Sequence, residues 1–374
     1  ILDIRRYWSL EKKDSVPISY EEAVDRTEEM LKEAINSHLI GDVPIALMLT
    51  GGLDSSVIAA LALKCEKKIA CAITVGHEGF KFDERKYGKL VANHLGIKHI
   101  EMEIDPKQAA QDMEKFVWYF DDLSIIGFFY QIFISQQVQK LGFKSVLLGE
   151  GSDEIFGGYH IFKLSMLPFS LLPSRIWNML YYNMLTAKKF GLDYFKNTEL
   201  INKPVFSPGL DVHKRCTLFE IYSQLPNYNL MADDKGYMSH SIEARVPYLD
   251  HKLVEFAFNL PQAYKLKGLL FTRKHEVVKH ILRSIALKYL PPEIAFRRKQ
   301  GMGLSMLEII RSNKPKVRDY LLSANSLALS LFGRTKVESV VNNEALDSRF
   351  LSRLYVLEIW ARQYLSQKKP SSTS

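Results

Sequence analysis

Cysteine is scarce in this chain: Cys65, Cys71 and Cys216 are all it has, and no two of them stand at C-x-x-C spacing. That excludes a disulfide framework and a cysteine zinc site, and it fits a reducing, cytoplasmic setting. Long hydrophobic runs are missing too. The richest stretch, Leu164 to Leu185, is broken by Pro168, Pro173 and Arg175, short of the roughly 18 uninterrupted apolar residues of a membrane helix, so no membrane span is expected. No secretory signal opens the chain, which starts at Ile1 instead of methionine. Internal repeats are absent, and the one biased segment is the polar tail from Gln367 to Ser374, expected to fray. Two familiar phosphate signatures are lacking as well. The only Gly-Lys pair, Gly88-Lys89, is followed by Leu90, so there is no Walker A loop, and Gly149-Glu150-Gly151 lacks the third glycine of the dinucleotide fingerprint.

What remains is an ordinary globular composition with a basic balance. Hydrophobic residues make up 47% and charged residues 25% of 374 positions, enough for one large domain or two ordinary ones. Lys and Arg number 50 against 42 Asp and Glu, a formal charge of +8. The basic residues are spread along the chain and not clustered, which suits a solvated surface or a polyanionic small molecule such as ATP better than nucleic acid.

Periodicity divides the chain. Ser19 and Glu22 form a capping box ahead of a helical pattern to Leu39. The apolar run Val43 to Leu49 then leads into Thr50-Gly51-Gly52-Leu53-Asp54-Ser55-Ser56 and a helix from Val57. Ile69 to Val75 and Ile97 to Ile104 read as further strands, with a helix from Asp83 to Leu95 between them. Lys144 to Leu148 reads as a fourth strand, after a helical stretch ending at Leu141. Strands alternating with helices predict an α/β fold: a parallel sheet with helices on both faces, which binds ligands beyond the carboxyl ends of its strands. Beyond Tyr159 the strand signal fades and a proline-punctuated helical pattern takes over. The expected division is an α/β core over 19–160, a helical half over 161–366 and the tail over 367–374.

The segment Thr50 to Ser56 carries the strongest chemical signal. Gly51 and Gly52 permit a tight strand-to-helix turn with amides free to face an anion. Ser55 and Ser56 sit at the mouth of the next helix, where unpaired N–H groups favour phosphate. Asp54 would repel a bare phosphate, so it makes sense there if it holds a metal ion that bridges to the phosphates. A lone Gly-Gly is more often a plain turn; the full string after a buried strand is what shifts the reading to nucleotide binding.

TGGLDSS resembles the pyrophosphate loop, usually SGGxDS, of enzymes that split ATP into AMP and pyrophosphate while adenylating an oxygen; Thr50 replaces the usual serine and keeps the hydroxyl. Leu148-Gly149-Glu150-Gly151-Ser152-Asp153-Glu154 through Tyr159 resembles a hallmark of the asparagine synthetase family. The stretch from Asp234-Lys235 through Ser241-Ile242-Glu243-Ala244-Arg245-Val246-Pro247-Tyr248-Leu249-Asp250 resembles that family's third motif, with Lys235 and Tyr237 departing from its arginine and serine. Arg297-Arg298-Lys299-Gln300-Gly301 resembles its basic RxKxG segment. The four stand in family order over almost the whole chain.

The resemblance implies an adenine-nucleotide α-hydrolase-like core and an ATP-dependent amide ligase. In such a ligase ATP adenylates the β-carboxylate of aspartate, and ammonia displaces AMP to give asparagine. It implies that Leu49, Thr50, Gly51, Gly52, Asp54, Ser55, Ser56, Val75 and Gly149 bind ATP, that Asp54 and Asp153 hold Mg2+, and that Glu150, Glu243 and Lys299 are catalytic. Lys299 would be a fixed cation where negative charge develops. Residues 1–18, with Arg6-Tyr7-Trp8-Ser9-Leu10, resemble the linker after the family's glutaminase domain, so the implied partners are the small substrates, an N-terminal or separate glutaminase, and a second copy of the chain in a homodimer. An intramolecular amide-forming cyclase of the same fold is the alternative; Glu150 favours the amidating branch, since lactam-forming relatives carry tyrosine there.

Other residues stay structural in this reading. His94 and His99 lack the carboxylates of a metal triad, and the aromatic cluster Trp118, Tyr119, Phe120, Phe128, Phe129, Tyr130 and Phe133 reads as core because no basic residues interleave it.

Overall fold

A computed structural model describes residues 3–5, 7–10, 17–66, 68–78, 83–123, 128–159, 162, 165, 210–268, 277–297, 306–344 and 347–365. Lys299 and the tail over 367–374 lie outside the described residues.

Among the described residues five short strands form one sheet: β1 Ile45–Met48, β2 Cys71–Gly76, β3 His99–Glu103, β4 Ser145–Leu147 and β5 Glu243–Arg245. Their order is β3-β2-β1-β4-β5 and every pairing is parallel. Parallel neighbours need crossover connections, and the helices supply them: α2 Leu53–Ala62 after β1, α3 Arg85–Leu95 after β2, and α4 Pro106–Gln111, α5 Met113–Phe120 and α6 Tyr130–Lys140 between β3 and β4. The helix α1, Tyr20–His38, precedes β1, and its Ser19–Glu22 capping box forms in both directions.

Side-chain alternation splits the sheet between two cores. Ile45 and Leu47 of β1 enter one, with Leu31 and Ile35 of α1 and Ile58 and Leu61 of α2. Ala46 and Met48 enter the other, with Phe116, Phe133 and Val138 of α5 and α6. Burial on both faces explains why β1, β2 and β4 read as near-continuous apolar runs instead of alternating ones. The aromatic expectation holds for Phe120, Phe129, Tyr130 and Phe133, all buried; Tyr119 is exposed. His94 hydrogen-bonds the Tyr289 carbonyl at 2.9 Å and His99 the Thr74 hydroxyl at 2.8 Å, structural contacts both.

Strand structure does not end where the strand signal fades, at Tyr159. Residues Glu243–Arg245 of the otherwise helical second half return to the sheet and pair with β4, Ser145 opposite Glu243 and Leu147 opposite Arg245. The chain crosses the sheet order at β1, where β2 leaves on one side and β4 on the other. Such a reversal opens a crevice at the carboxyl ends of two neighbouring strands, here β1 and β4.

Candidate active site

Both glycine-rich turns leave that crevice side by side. After β1, Thr50 ties the first turn: its hydroxyl accepts from the Gly52 N–H at 3.2 Å and lies 3.1 Å from Ser55 Oγ, and its own N–H donates to Ser55 Oγ at 3.2 Å. A threonine therefore serves the loop through its hydroxyl. Gly51 has φ of 65°, and a Cβ there would fall 2.4 Å from the Tyr87 carbonyl carbon, so only glycine fits. After β4, Gly149 passes so close that a Cβ would lie 3.3 Å from both Asp54 Cβ and Ser55 N, and Gly151, at φ of 90°, would strike Leu249. Tyr248 crosses from the third motif and donates its hydroxyl to the Asp54 carbonyl at 3.1 Å.

This packing brings Asp54, in the first turn of α2, against Asp153, in the short helix α7, Ser152–Phe156. They meet on one cation. Lys279 Nζ lies 2.7 Å from Asp54 Oδ1, 2.8 Å from Asp54 Oδ2, 2.7 Å from Asp153 Oδ1 and 2.9 Å from Ser152 Oγ. Nothing in the sequence flagged Lys279. A lysine at the start of an amphipathic helix, His280–Leu287, has the look of a solvated charge, and only the fold turns it inward. Arg283 of the same helix is half-buried, held by the Val278 and Ala295 carbonyls; burial lowers its pKa while the Asp54 charge opposes that shift.

Behind these aspartates lie buried acidic side chains. Glu154 is fully buried, with Oε1 accepting from Tyr159 Oη at 2.8 Å and Asn229 Nδ2 at 3.2 Å; burial and then the Asp153 charge push its carboxyl up. Glu220 opens a π-helical segment, Glu220–Asn229, and burial, followed by Glu154 and Asp153, pushes it up to about 8. Asp233 rises well above the usual carboxylate range through burial and then the charge of Glu150, although the Gln131 amide donates to it. Glu150 itself stands half-buried after β4, facing that pair. Burial and mutual repulsion drive the carboxyls of Glu154, Glu220 and Asp233 toward their neutral forms, so the groups left to hold a cation, or a metal-bound polyphosphate, are the two carboxylates paired with Lys279, Asp54 and Asp153.

Of the remaining expected residues, Ser55 and Ser56 are buried at the mouth of α2, while Leu49 and Val75 close β1 and β2 with side chains in opposite cores. Glu243 does not join the group. It begins β5, level with Ser145 at the amino end of β4, its side chain is 61% exposed, and it pairs with Arg245 at 2.9 Å. Arg245 in turn caps the end of α1 through the His38 and Ile40 carbonyls, at 2.7 Å each. The glycine turns leave the opposite, carboxyl end of the sheet. Glu243 thus stands at the other end of the sheet from the glycine turns, as a surface ion-pair partner of Arg245.

Lys299 is outside the described residues, but Arg297, two positions earlier, is anchored in the site. Its guanidinium donates to the Thr50 carbonyl at 3.0 Å and to Glu84 at 3.1 Å, and stacks 3.8 Å from the Tyr87 ring centre. Two carboxylates and a hydroxyl already gathered about one positive charge are hard oxygen donors of the kind magnesium takes, so the residues present fit that ion.

The family model for asparagine synthase matches residues 26–362. The chain is 28% identical to glutamine-hydrolysing asparagine synthetase 1 of Bacillus subtilis (strain 168), over 78% of this chain and 51% of that one. It is 26% identical to glutamine-hydrolysing asparagine synthetase B of Escherichia coli (strain K12), over 83% of this chain and 50% of that one. The chain thus spans about half the length of these relatives. A solved NMN synthetase from Francisella tularensis aligns with 60% of this chain and 95% of its own at 14% identity and a TM-score of 0.28, too slight a likeness to inform the site.

Proposed function

The chain belongs to the asparagine synthase family, and from that premise we propose that it carries out the ATP-consuming half of amide formation: aspartate, ATP and ammonia give asparagine, AMP and pyrophosphate. The observation that carries this reading is the convergence of Asp54 and Asp153 on one cation at the carboxyl ends of β1 and β4, beside the glycine turn that opens α2.

Asp54, Asp153 and the Ser152 hydroxyl are the groups that would hold magnesium. When bound, the ion neutralises charge on the phosphates and makes pyrophosphate a better leaving group. The turn from Thr50 to Ser56 cradles the phosphates through backbone N–H groups and the start of α2, with Arg297 and Tyr248 fixing its shape from outside. Glu150 stands beyond β4 at the edge of the buried acids and takes a proton from the attacking nitrogen. Lys299 supplies a cation where charge develops on the pyrophosphate and the attacked carbonyl. Burial of Glu154 and Glu220 beneath the aspartates limits the entry of water from that side, where an acyl-adenylate would otherwise hydrolyse.

The test is product analysis with aspartate, magnesium-ATP and ammonium. Asparagine and AMP in equal amounts support the reading. AMP without asparagine points to another acceptor acid or to an amine within the substrate, the cyclase outcome.

A further inference from the structure

Lys279 stands between two carboxylates that would otherwise face each other with no ammonium or guanidinium in contact with both. Its side chain is 5% exposed, its backbone is held at φ of 53°, and its ammonium reaches Asp54, Asp153 and Ser152 together. A left-handed non-glycine residue persists only where the surroundings dictate it. Gly158 is part of that enforcement: a Cβ there would lie 1.7 Å from Asp153 Oδ1 and 2.2 Å from Lys279 Cε, so bare backbone closes the other side. The ammonium donates to both Asp54 oxygens and to Ser152 Oγ and lies 2.7 Å from Asp153 Oδ1, four oxygens about three protons, which leaves the lysine no unused capacity.

The geometry points to Lys279 as the resident counter-cation of the two-carboxylate site, excluding free divalent metal until a polyphosphate brings negative charge of its own. This rests on the reading that Asp54 and Asp153 hold magnesium. A divalent cation entering the unliganded site would sit against a buried ammonium, and little solvent is present to screen the repulsion. The phosphates of ATP reverse that balance, so metal and nucleotide are admitted together. Lys279 acts here as a positioning residue, holding the aspartates at the spacing the metal will use.

Manganese, which replaces magnesium and is visible by electron paramagnetic resonance, is titrated into the 374-residue chain without nucleotide. Lys279→Met and Lys279→Gln are expected to bind one manganese at least about tenfold more tightly than the unaltered chain, since one unit of like charge has been removed. Their unfolding midpoints should rise as the metal is added, and adding Asp153→Asn to Lys279→Gln should erase the gain. Equal manganese affinity with and without the lysine overturns the inference, and so does failure of both variants to fold even with manganese present, because metal then does not replace the ammonium. The magnesium assignment is read separately from manganese-ATP binding: if Asp54→Asn and Asp153→Asn weaken it, that assignment stands whatever Lys279 does, and if neither does, assignment and inference fall together.

Discussion

Arg297 donates to the Thr50 carbonyl at 3.0 Å, joining the basic motif near the end of the chain to the glycine turn near its beginning. The same guanidinium pairs with Glu84 at 3.1 Å, with side chains 7% and 6% exposed. Removing one partner of so buried a pair leaves the other charge stranded, at a cost of about 3 kcal/mol or more. Arg297→Met should therefore lower stability by about that amount in urea unfolding and raise KM for ATP by loosening the turn. A loss under about 0.5 kcal/mol would place Arg297 among ordinary surface residues.

Asp54 and Asp153 make the sharpest functional prediction. Asparagine at either position keeps the shape and removes a charge, so Asp54→Asn or Asp153→Asn should cut ATP-dependent AMP release by about 10²-fold or more while circular dichroism stays native. Near-normal turnover of either variant at ordinary magnesium would sink the assignment.

How legible this was in the sequence follows from what each signal measures. Strands β1, β2 and β4 announced themselves because burial on both faces demands unbroken apolar runs, and the edge strand β3, alternating and only partly buried, was marked by its place between Gly96 and Pro106. Strand β5 did not, because Glu243-Ala244-Arg245 has no strand character of its own and is extended only through pairing with β4. The motifs placed Asp54, Gly149 and Asp153 together because glycine turns at strand ends are local features. Glu243 was not placed apart from them by its motif, because linear order does not say from which end of a strand a side chain departs. Its two-residue spacing from Arg245, on one face of an edge strand, was the available hint of an ion pair. Lys279 left no trace, since its role depends on a left-handed backbone at a helix start that no residue preference encodes.

Close approach at Gly158 predicts a functional defect, and Gly96 provides the control. Gly158→Ala must displace the Asp153 carboxylate or the Lys279 stem, so AMP formation should fall sharply. Gly96, at φ of 68°, ends α3 with nothing within 4 Å of a Cβ. Gly96→Ala should cost about 1 kcal/mol of stability through its left-handed backbone and leave the reaction rate unchanged. The idea fails if the two variants lose activity alike.

Glu220 gives a pH signature with a definite sign. Burial and the charges of Glu154 and Asp153 raise its carboxyl from 4.5 to about 8 in the folded chain. The folded state then binds a proton that the unfolded state has released, so this group's contribution is fully present below the unfolded value and is lost as pH rises toward the folded one. Glu220→Gln has no proton to lose. Its stability relative to the unaltered chain should climb between pH 4.5 and about 8 and level off above. Thermal unfolding of both proteins across that range decides it, and a flat difference refutes the shift.

The nitrogen source is predicted from the cysteines. Hydrolysing glutamine through a thiolate needs an accessible cysteine with a depressed pKa. Cys65, Cys71 and Cys216 are all buried, and burial pushes every one of these thiols up, Cys216 furthest. None can serve as that nucleophile, whereas ammonia needs no thiol to attack an acyl-adenylate. These 374 residues, given aspartate and magnesium-ATP at mildly alkaline pH, should therefore form asparagine with ammonium salt and not with glutamine, and iodoacetamide under native conditions should leave the rate unchanged. Mass spectrometry with nitrogen-15 ammonium reads the outcome directly. Label in the asparagine amide agrees with this account; asparagine formed from glutamine alone would require a glutaminase built from residues other than these three cysteines, and the argument from burial would then be the part to abandon.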